Sequence, residues 1–146
     1  MTADYRKSTA ESEIRELIDA RAKAIREKNA NAILSTYAPD VVMYNLAPPL
    51  QTRGPDRKML ETWFASYQGA MGCEKRDLNI SASDSVAFCN YLFRITGTST
   101  EGKAEDMWVR ATLGFNKTGG QWLITHEHNS EPFDMQTFKA LLDLKP

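Results

Sequence analysis

From Asp77 onward the chain is organised as four runs of alternating side chains: Asp77 to Ser81, Val86 to Thr96, Ala104 to Asn116 and Gln121 to Ser130. Only SASDS, GTSTEGK and NKTGGQ separate them. Connections this short leave no room for a crossover, so successive runs must pair as antiparallel strands. Each residue in a strand is then committed to one of two sheet faces. One alternate set, Ala87, Cys89, Tyr91, Phe93 and Ile95 with Val109, Ala111, Leu113 and Phe115, is strongly apolar. The other, Phe88, Asn90, Leu92 and Arg94 with Trp108, Arg110 and Thr112, mixes aromatic and polar groups. Two such faces predict that one lines a pocket and the other packs against a second subunit.

Cover for the sheet must come from the first half. Ser8-Thr9-Ala10-Glu11 is a capping-box pattern, and Ile14, Leu17, Ile18, Ala22 and Ile25 recur at helical spacing as far as Lys28. Asn31 can cap a short second helix with Ile33, Leu34 and Tyr37, stopped by Pro39. Val41 to Leu46 suits a strand that Pro48-Pro49 ends. With Pro55 near its first turn, a third helix carries Met59, Leu60, Trp63, Phe64 and Tyr67 and ends at Gly69 or Gly72. Phe133 to Leu144 offers one or two further helical turns. Helices followed by an antiparallel sheet predict an α+β fold with helices on one sheet face, as one domain over residues 1–146.

A formal charge of −1 and the lack of Lys/Arg clusters give no reason to expect nucleic acid or an anionic membrane as partner. The N-terminus has no apolar signal core, and no run approaches the roughly 20 apolar residues of a membrane helix, so a cytoplasmic location is expected. Cys73 and Cys89 show no CxxC spacing and read as buried, reduced thiols.

The helix-helix-strand-helix-sheet order, with YAPDVVMYNLAPPL, RGPDRKMLETWF, WVRAT and GGQWLITHEHNSEPFD, resembles the SnoaL-like and ketosteroid-isomerase-homologue branch of the nuclear transport factor 2-like superfamily. The WxRxT and W-x-I-x-H-x-H-x-S-x-P patterns carry most of the resemblance, which spans nearly the whole chain. It implies a cone: three N-terminal helices packed in a curved antiparallel sheet, a pocket at the open end, and dimers formed through sheet surfaces. Activity varies too widely across such a superfamily for fold to decide it. Against the steroid isomerase pattern, Asn45 falls where the Asp base stands and Arg21 near the oxyanion-hole tyrosine. An amide cannot abstract a proton from carbon, so classical steroid isomerisation is not expected. YLFRITG, WVRAT and WLITHEHNS also resemble the association domain of calcium/calmodulin-dependent kinase. That likeness implies that Arg94, Arg110 and Asn129 face the pocket.

Strand alternation adds Glu127 to the Asn129 face and sends His126 and His128, the only histidines, to the other. Arg21 follows Leu17 and Ile18 on the inward stripe of the first helix. Three guanidinium groups on one concave face would need counter-charge, from Glu127 internally or from a ligand carboxylate or phosphate. The same residues equally suit a structural ion-pair network. Trp63, Trp108, Tyr37, Tyr44 and Phe88 suit core packing as well as a ligand platform, and Asn45 suits a pocket anchor or a strand end. For the histidines a metal site is incomplete, since HxH supplies two ligands and no third His follows. An acid/base role would need them in the pocket, so a subunit interface is the favoured place.

These expectations combine as a small-molecule site in which Glu127 and Arg110 are catalytic and Arg21, Tyr37, Asn45, Trp63, Arg94, Trp108 and Asn129 bind. Its ligand is a partly apolar molecule with an anionic or carbonyl oxygen, and its chemistry is proton transfer, isomerisation or cyclisation without metal or cofactor. The alternative is a non-enzymatic ligand-binding or assembly domain with the cone as scaffold. A homodimer is expected in either case.

Overall fold

The alternating runs form one curved, unclosed sheet in the computed structural model, which describes residues 2–146. Its strands are β1 (Tyr37–Tyr44), β2 (Thr52–Arg53), β3 (Tyr67–Ala82), β4 (Val86–Ser99), β5 (Ala104–Thr118) and β6 (Gln121–Ser130), in the order β2-β1-β6-β5-β4-β3. The β3-β4-β5-β6 meander is antiparallel, as its short connections require. Gly119 and Gly120 both take positive φ in the tight β5–β6 turn, where side-chain-bearing residues are strained. The sheet is nonetheless mixed, because β1 lies parallel to β6. These two strands stand far apart in sequence, so no hairpin dictates their direction.

Three helices cover the concave face: α1 (Ala3–Arg26), α2 (Ala30–Leu34) and α3 (Arg57–Ala65). The stripe Ala10, Ile14, Ile18, Arg21 and Ala24 of α1 is buried. No described helix is long and apolar enough to cross a membrane. Two apolar clusters result. One joins Ile14 and Ile18 to Val41, Met43, Cys89, Leu113, Phe115 and Ile124. The other joins Ala24, Ile33, Phe64 and Tyr67 to Met71, Cys73 and Ile95. Tyr37 packs against both.

Element ends depart from the sequence pattern for local reasons. The first helix starts at Ala3, capped by the Thr2 hydroxyl, so the Ser8–Glu11 box lies inside it. Asn29 rather than Asn31 caps α2, accepting from the Ala32 N–H at 3.1 Å. Tyr37 opens β1 instead of closing α2, because its neighbour Thr36 already accepts the Ile124 N–H. The third helix stops at Ala65, and Gly69 and Gly72 belong to β3, a long edge strand whose polar residues face water. No helix forms after Phe133: the Asp134 carboxylate accepts from the N–H groups of Gln136 (2.7 Å) and Thr137 (3.0 Å), a turn that competes with helix.

The apolar strand set proves to be the concave face, not a surface for another subunit. Ala87, Cys89, Ile95, Val109, Ala111, Leu113 and Phe115 are all buried beneath the helices. Tight packing there sets a test at Gly97, where an added Cβ would sit 2.7 Å from the Tyr67 ring, itself held by a 2.7 Å hydrogen bond from its hydroxyl to Glu105. Gly97→Ala is expected to cost about 1–3 kcal/mol as an overpacked core position. Gly114→Ala, whose nearest neighbour would be at 3.6 Å, should be near neutral. Denaturant melts of the two variants check this, and equal stabilities would contradict the packing described.

Candidate functional site

At the wide end of the cone one helix residue reaches across to a central strand. Arg21, on the buried stripe of α1, donates from Nη2 to Glu127 Oε1 of β6 at 2.7 Å. The same nitrogen lies 3.1 Å from the Tyr37 hydroxyl, which donates to Glu127 Oε2 at 3.1 Å. Arg21 Nη1 donates to the Thr36 hydroxyl, whose own proton goes to the Ile33 carbonyl at 2.6 Å. The guanidinium also lies over the Tyr37 ring, 4.9 Å from its centroid. Side-chain exposures of 8% and 10% make Arg21–Glu127 a buried ion pair. Burial alone would disfavour the Arg21 charge, but the oxygens of Tyr37 and Glu127 outweigh it and hold the group charged. Burial raises the Tyr37 phenol well above its ordinary value, with Arg21 opposing and Glu127 adding to the shift, so it stays a neutral donor.

Beside this cluster, between the two apolar clusters, lies a cavity of about 310 Å³. Its walls are mostly apolar: Ile18, Ile25, Met43, Met59, Leu60, Trp63, Phe93, Met107 and Val109 among others. Arg21, Tyr37, Tyr91, Glu127, Asn45 and Asn129 supply polar groups, with Lys75 and Asp56. Lys75 is paired with Asp19. Cys73 also lines the cavity, and burial pushes its thiol up to about 11 against the pull of Arg26 and Arg21, so it is no thiolate at neutral pH.

Tyr91 escaped the sequence reading, although it belongs to the inward set and is its only phenol. Its hydroxyl makes no hydrogen bond among the described residues. Burial raises its phenol well above its ordinary value, Arg21 opposing and Glu127 adding, and all three residues line the same cavity. Buried tyrosine hydroxyls ordinarily find a partner, so one left open toward a cavity is available to a ligand.

The expected residues divide by sheet face. Arg21, Tyr37, Asn45, Trp63, Glu127 and Asn129 come together around the cavity. Arg94, Trp108 and Arg110 do not, because strand phase puts them on the convex face. Arg94 donates there to Asp106 (2.8 and 2.7 Å) and Glu74 (2.9 Å), and Arg110 to Ser130 Oγ at 3.0 Å. The reason is the cost of burying guanidinium groups: the apolar set takes the helix side and leaves charges to water and surface carboxylates. Register agrees, since Glu127 pairs with Leu113 while Arg110 pairs with Ser130 and Leu92. Arg94 lies opposite Trp108, two residues along β5 from Arg110.

His126 and His128 lie on the convex face too, but that face is the mixed one, not the apolar one. Tyr44 meets both rings edge-on, with centroids 4.8 and 5.2 Å away, and His126 Nδ1 is 2.8 Å from the Val42 carbonyl. Among the described residues no three His, Cys, Asp or Glu side chains are grouped to hold a metal ion.

A family model described as a SnoaL-like domain matches residues 14–134. The chain belongs to the SnoaL-like family. Among solved structures, this SnoaL-like chain is similar to a nuclear transport factor 2-like protein of unknown function from Pseudomonas putida KT2440. The two are 36% identical over 95% of this chain and 98% of that one, with a TM-score of 0.86. Two further likenesses concern the fold alone. One is to a protein proposed to be a dehydratase, from Streptomyces avermitilis, at 16% identity, 88% and 97% coverage and TM-score 0.73. The other is to the association domain of C. elegans calcium/calmodulin-dependent kinase II, at 14% identity, 85% and 97% coverage and TM-score 0.67. A comparison with curated proteins finds no match. The nuclear transport factor 2-like cone is thus the fold of this SnoaL-like domain.

The ion pair gives a stability test. Arg21→Met or Glu127→Leu alone strands a buried charge and should cost about 3–5 kcal/mol. Arg21→Met with Glu127→Leu removes both charges and should cost clearly less than the sum. Urea unfolding of the four proteins measures the cycle, and additive losses would show that the two charges do not depend on one another.

Proposed function

We propose that the cavity binds a small, largely apolar, electrically neutral molecule carrying a carbonyl or hydroxyl oxygen, and that Glu127 exchanges a proton with it. The observation that carries this reading is the open Tyr91 phenol facing an apolar cavity that also presents Glu127. Both cations around the cavity already have partners nearby: Arg21 is taken up by Glu127, Thr36 and Tyr37, and Lys75 by Asp19. An anionic ligand would meet no unpaired cation there, so the carbonyl branch of the expectation is favoured over the carboxylate or phosphate branch. At about 310 Å³ the space is at the small end of ligand pockets, which run roughly 300–1,000 Å³, and fits a molecule of one or two rings.

The chemistry follows from the donors and acceptors. Tyr91 donates to the ligand oxygen, and Glu127 removes a proton from the carbon next to that carbonyl. The electron pair of the broken C–H bond moves onto the oxygen, where the phenol stabilises it. Return of the proton to a different carbon is isomerisation; return of the enolate electron pair with expulsion of a β-hydroxyl, which takes the proton from Glu127 and leaves as water, is dehydration. Arg21 and Tyr37 position the carboxylate. The similarity in fold to a protein proposed to be a dehydratase is consistent with chemistry of this class. None of these steps calls for a metal or cofactor.

A panel of small cyclic ketones in D2O, followed by NMR, tests both parts. Wild-type protein should accelerate deuterium uptake beside the carbonyl, and Glu127→Gln should lower the rate by roughly 10²–10⁴-fold. Tyr91→Phe should weaken binding. Uptake indifferent to Glu127→Gln would refute the base, and a panel that leaves the cavity resonances unmoved would refute the binding.

The convex face supports a second reading, for assembly. Tyr44 and Phe88 are exposed there at 38% and 52%, beside half-buried Leu92 and Trp108 and the histidine pair. A second copy packed on this face would place His126 and His128 at the interface. Light scattering at micromolar concentration should give twice the chain mass, falling toward the monomer in Phe88→Glu; a monomeric wild type would exclude the arrangement.

A further inference from the structure

Two of the cavity's polar side chains have no structural task, and they stand next to each other. β1 and β6 run parallel with Met43 opposite Glu127 and Tyr44 opposite His128. Asn129 is the next residue of β6, and Asn45 directly follows the last residue of β1, so the two asparagines flank the end of the β1–β6 ladder. Both line the cavity and both are half-buried. The Asn45 amide nitrogen makes only a 3.9 Å contact with Met59 Sδ. The Asn129 amide makes no side-chain hydrogen bond among the described residues.

This contrasts with the level below. There Arg21, Thr36, Tyr37 and Glu127 use one another's donors and acceptors. Two residues further along the strands, a rise of roughly 6–7 Å, the carboxamides of Asn45 and Asn129 stay open. Two primary amides present four N–H donors and two carbonyl acceptors between them. Facing an apolar cavity, polar groups of that capacity lose hydration unless a ligand replaces it. Across the sheet the same rung continues through Ala111, paired with both Asn129 and Tyr91. The small alanine separates the amide pair from the phenol.

We propose that Asn45 and Asn129 form a second polar subsite, and that the ligand carries a second neutral hydrogen-bonding group, a hydroxyl, carbonyl or carboxamide, at the edge of its apolar body remote from the oxygen held by Tyr91. This inference rests on the ligand-binding reading of the cavity and adds the ligand's bifunctional character. It assigns the two asparagines to specificity, while Glu127 and Tyr91 serve the reacting end. A neutral group is favoured, because an amide pair can satisfy hydrogen bonds without supplying the counter-charge that an ionised group would demand once desolvated.

The test compares acetophenone, which has one acceptor, with 4-acetylbenzamide, which adds a carboxamide at the far edge of the same ring. Affinities are taken from shifts of cavity resonances. Wild-type protein should bind the benzamide about tenfold tighter or better, the worth of one or two net hydrogen bonds. Asn129→Leu and Asn45→Leu should each reduce that advantage, read as the ratio of the two probes' affinities. Tyr91→Phe should weaken both probes alike. Asn129→Ala removes the donors and the acceptor together without adding bulk, so it serves should a leucine variant misfold; it too should lose the preference. If acetophenone binds and the benzamide gains nothing, or gains equally in the variants, the subsite is refuted and the ligand-binding reading survives. If neither probe moves a cavity resonance, both fall.

Discussion

The Arg21–Glu127 ion pair is the contact on which the rest of this arrangement depends. An apolar stripe such as Ile14 and Ile18 holds a helix against a sheet but tolerates sliding, because dispersion and hydrophobic burial have no preferred direction. A guanidinium–carboxylate contact does have one. It ties the penultimate turn of α1 to the strand between β1 and β5, and Thr36 and Tyr37 bring the α2–β1 junction into the same contact. Desolvating both charges is expensive, so the pair contributes less to net stability than to fixing the helix in one register. With the register fixed, the two apolar clusters remain distinct and the cavity lies between them. Tyr37 belongs to both clusters and to the polar contact, joining packing to electrostatics.

The β3-β4-β5-β6 meander was legible in the sequence because short connections and period-two alternation are local signals. β6 runs from Gln121 to Ser130, as its pattern indicates, and the meander pairs as its turns demand. The parallel junction of β1 with β6 was not legible, since it joins distant segments and no turn residue encodes it. Nor was the length of β3, whose Gly69 and Gly72 read as breakers; an edge strand with one face in water tolerates them. After Phe133, helical spacing of Phe138, Leu141 and Leu142 lost to the Asp134 turn, a side-chain effect that periodicity does not register.

For the site, alternation placed Glu127 and Asn129 together and the histidines apart from them, and helical spacing turned Arg21 inward. The likeness to the association domain implies a pocket position for Arg94 and Arg110, yet both lie on the convex face, as does Trp108 of the same strand set. Burial energetics alone sets the phase of β4 and β5 correctly. Between a face of Ala, Cys, Val, Leu, Ile and Phe and one bearing two guanidinium groups, only the first can be sealed under helices without counter-charges. Tyr91 was hidden by the opposite assignment of faces. Once the apolar set is the concave face, its one phenol becomes a polar group looking into an apolar space.

That exchange of faces alters the chemistry available. Three inward arginines would have made an anion trap; one arginine neutralised by Glu127 makes a site without net charge at its centre. Charged ligands would exchange hydration for an environment whose cations are already engaged, whereas neutral oxygens lose little on entry and gain the Tyr91 hydroxyl. Arg94 on the convex face is similarly compensated, held between Glu74 and Asp106. On the ligand-binding reading proposed above, discrimination falls to uncharged groups, a phenol on β4 and two carboxamides at the end of the β1–β6 ladder. Such groups discriminate by geometry, because a hydrogen bond weakens steeply once misaligned, and their precision depends on the ion pair that holds α1 in register.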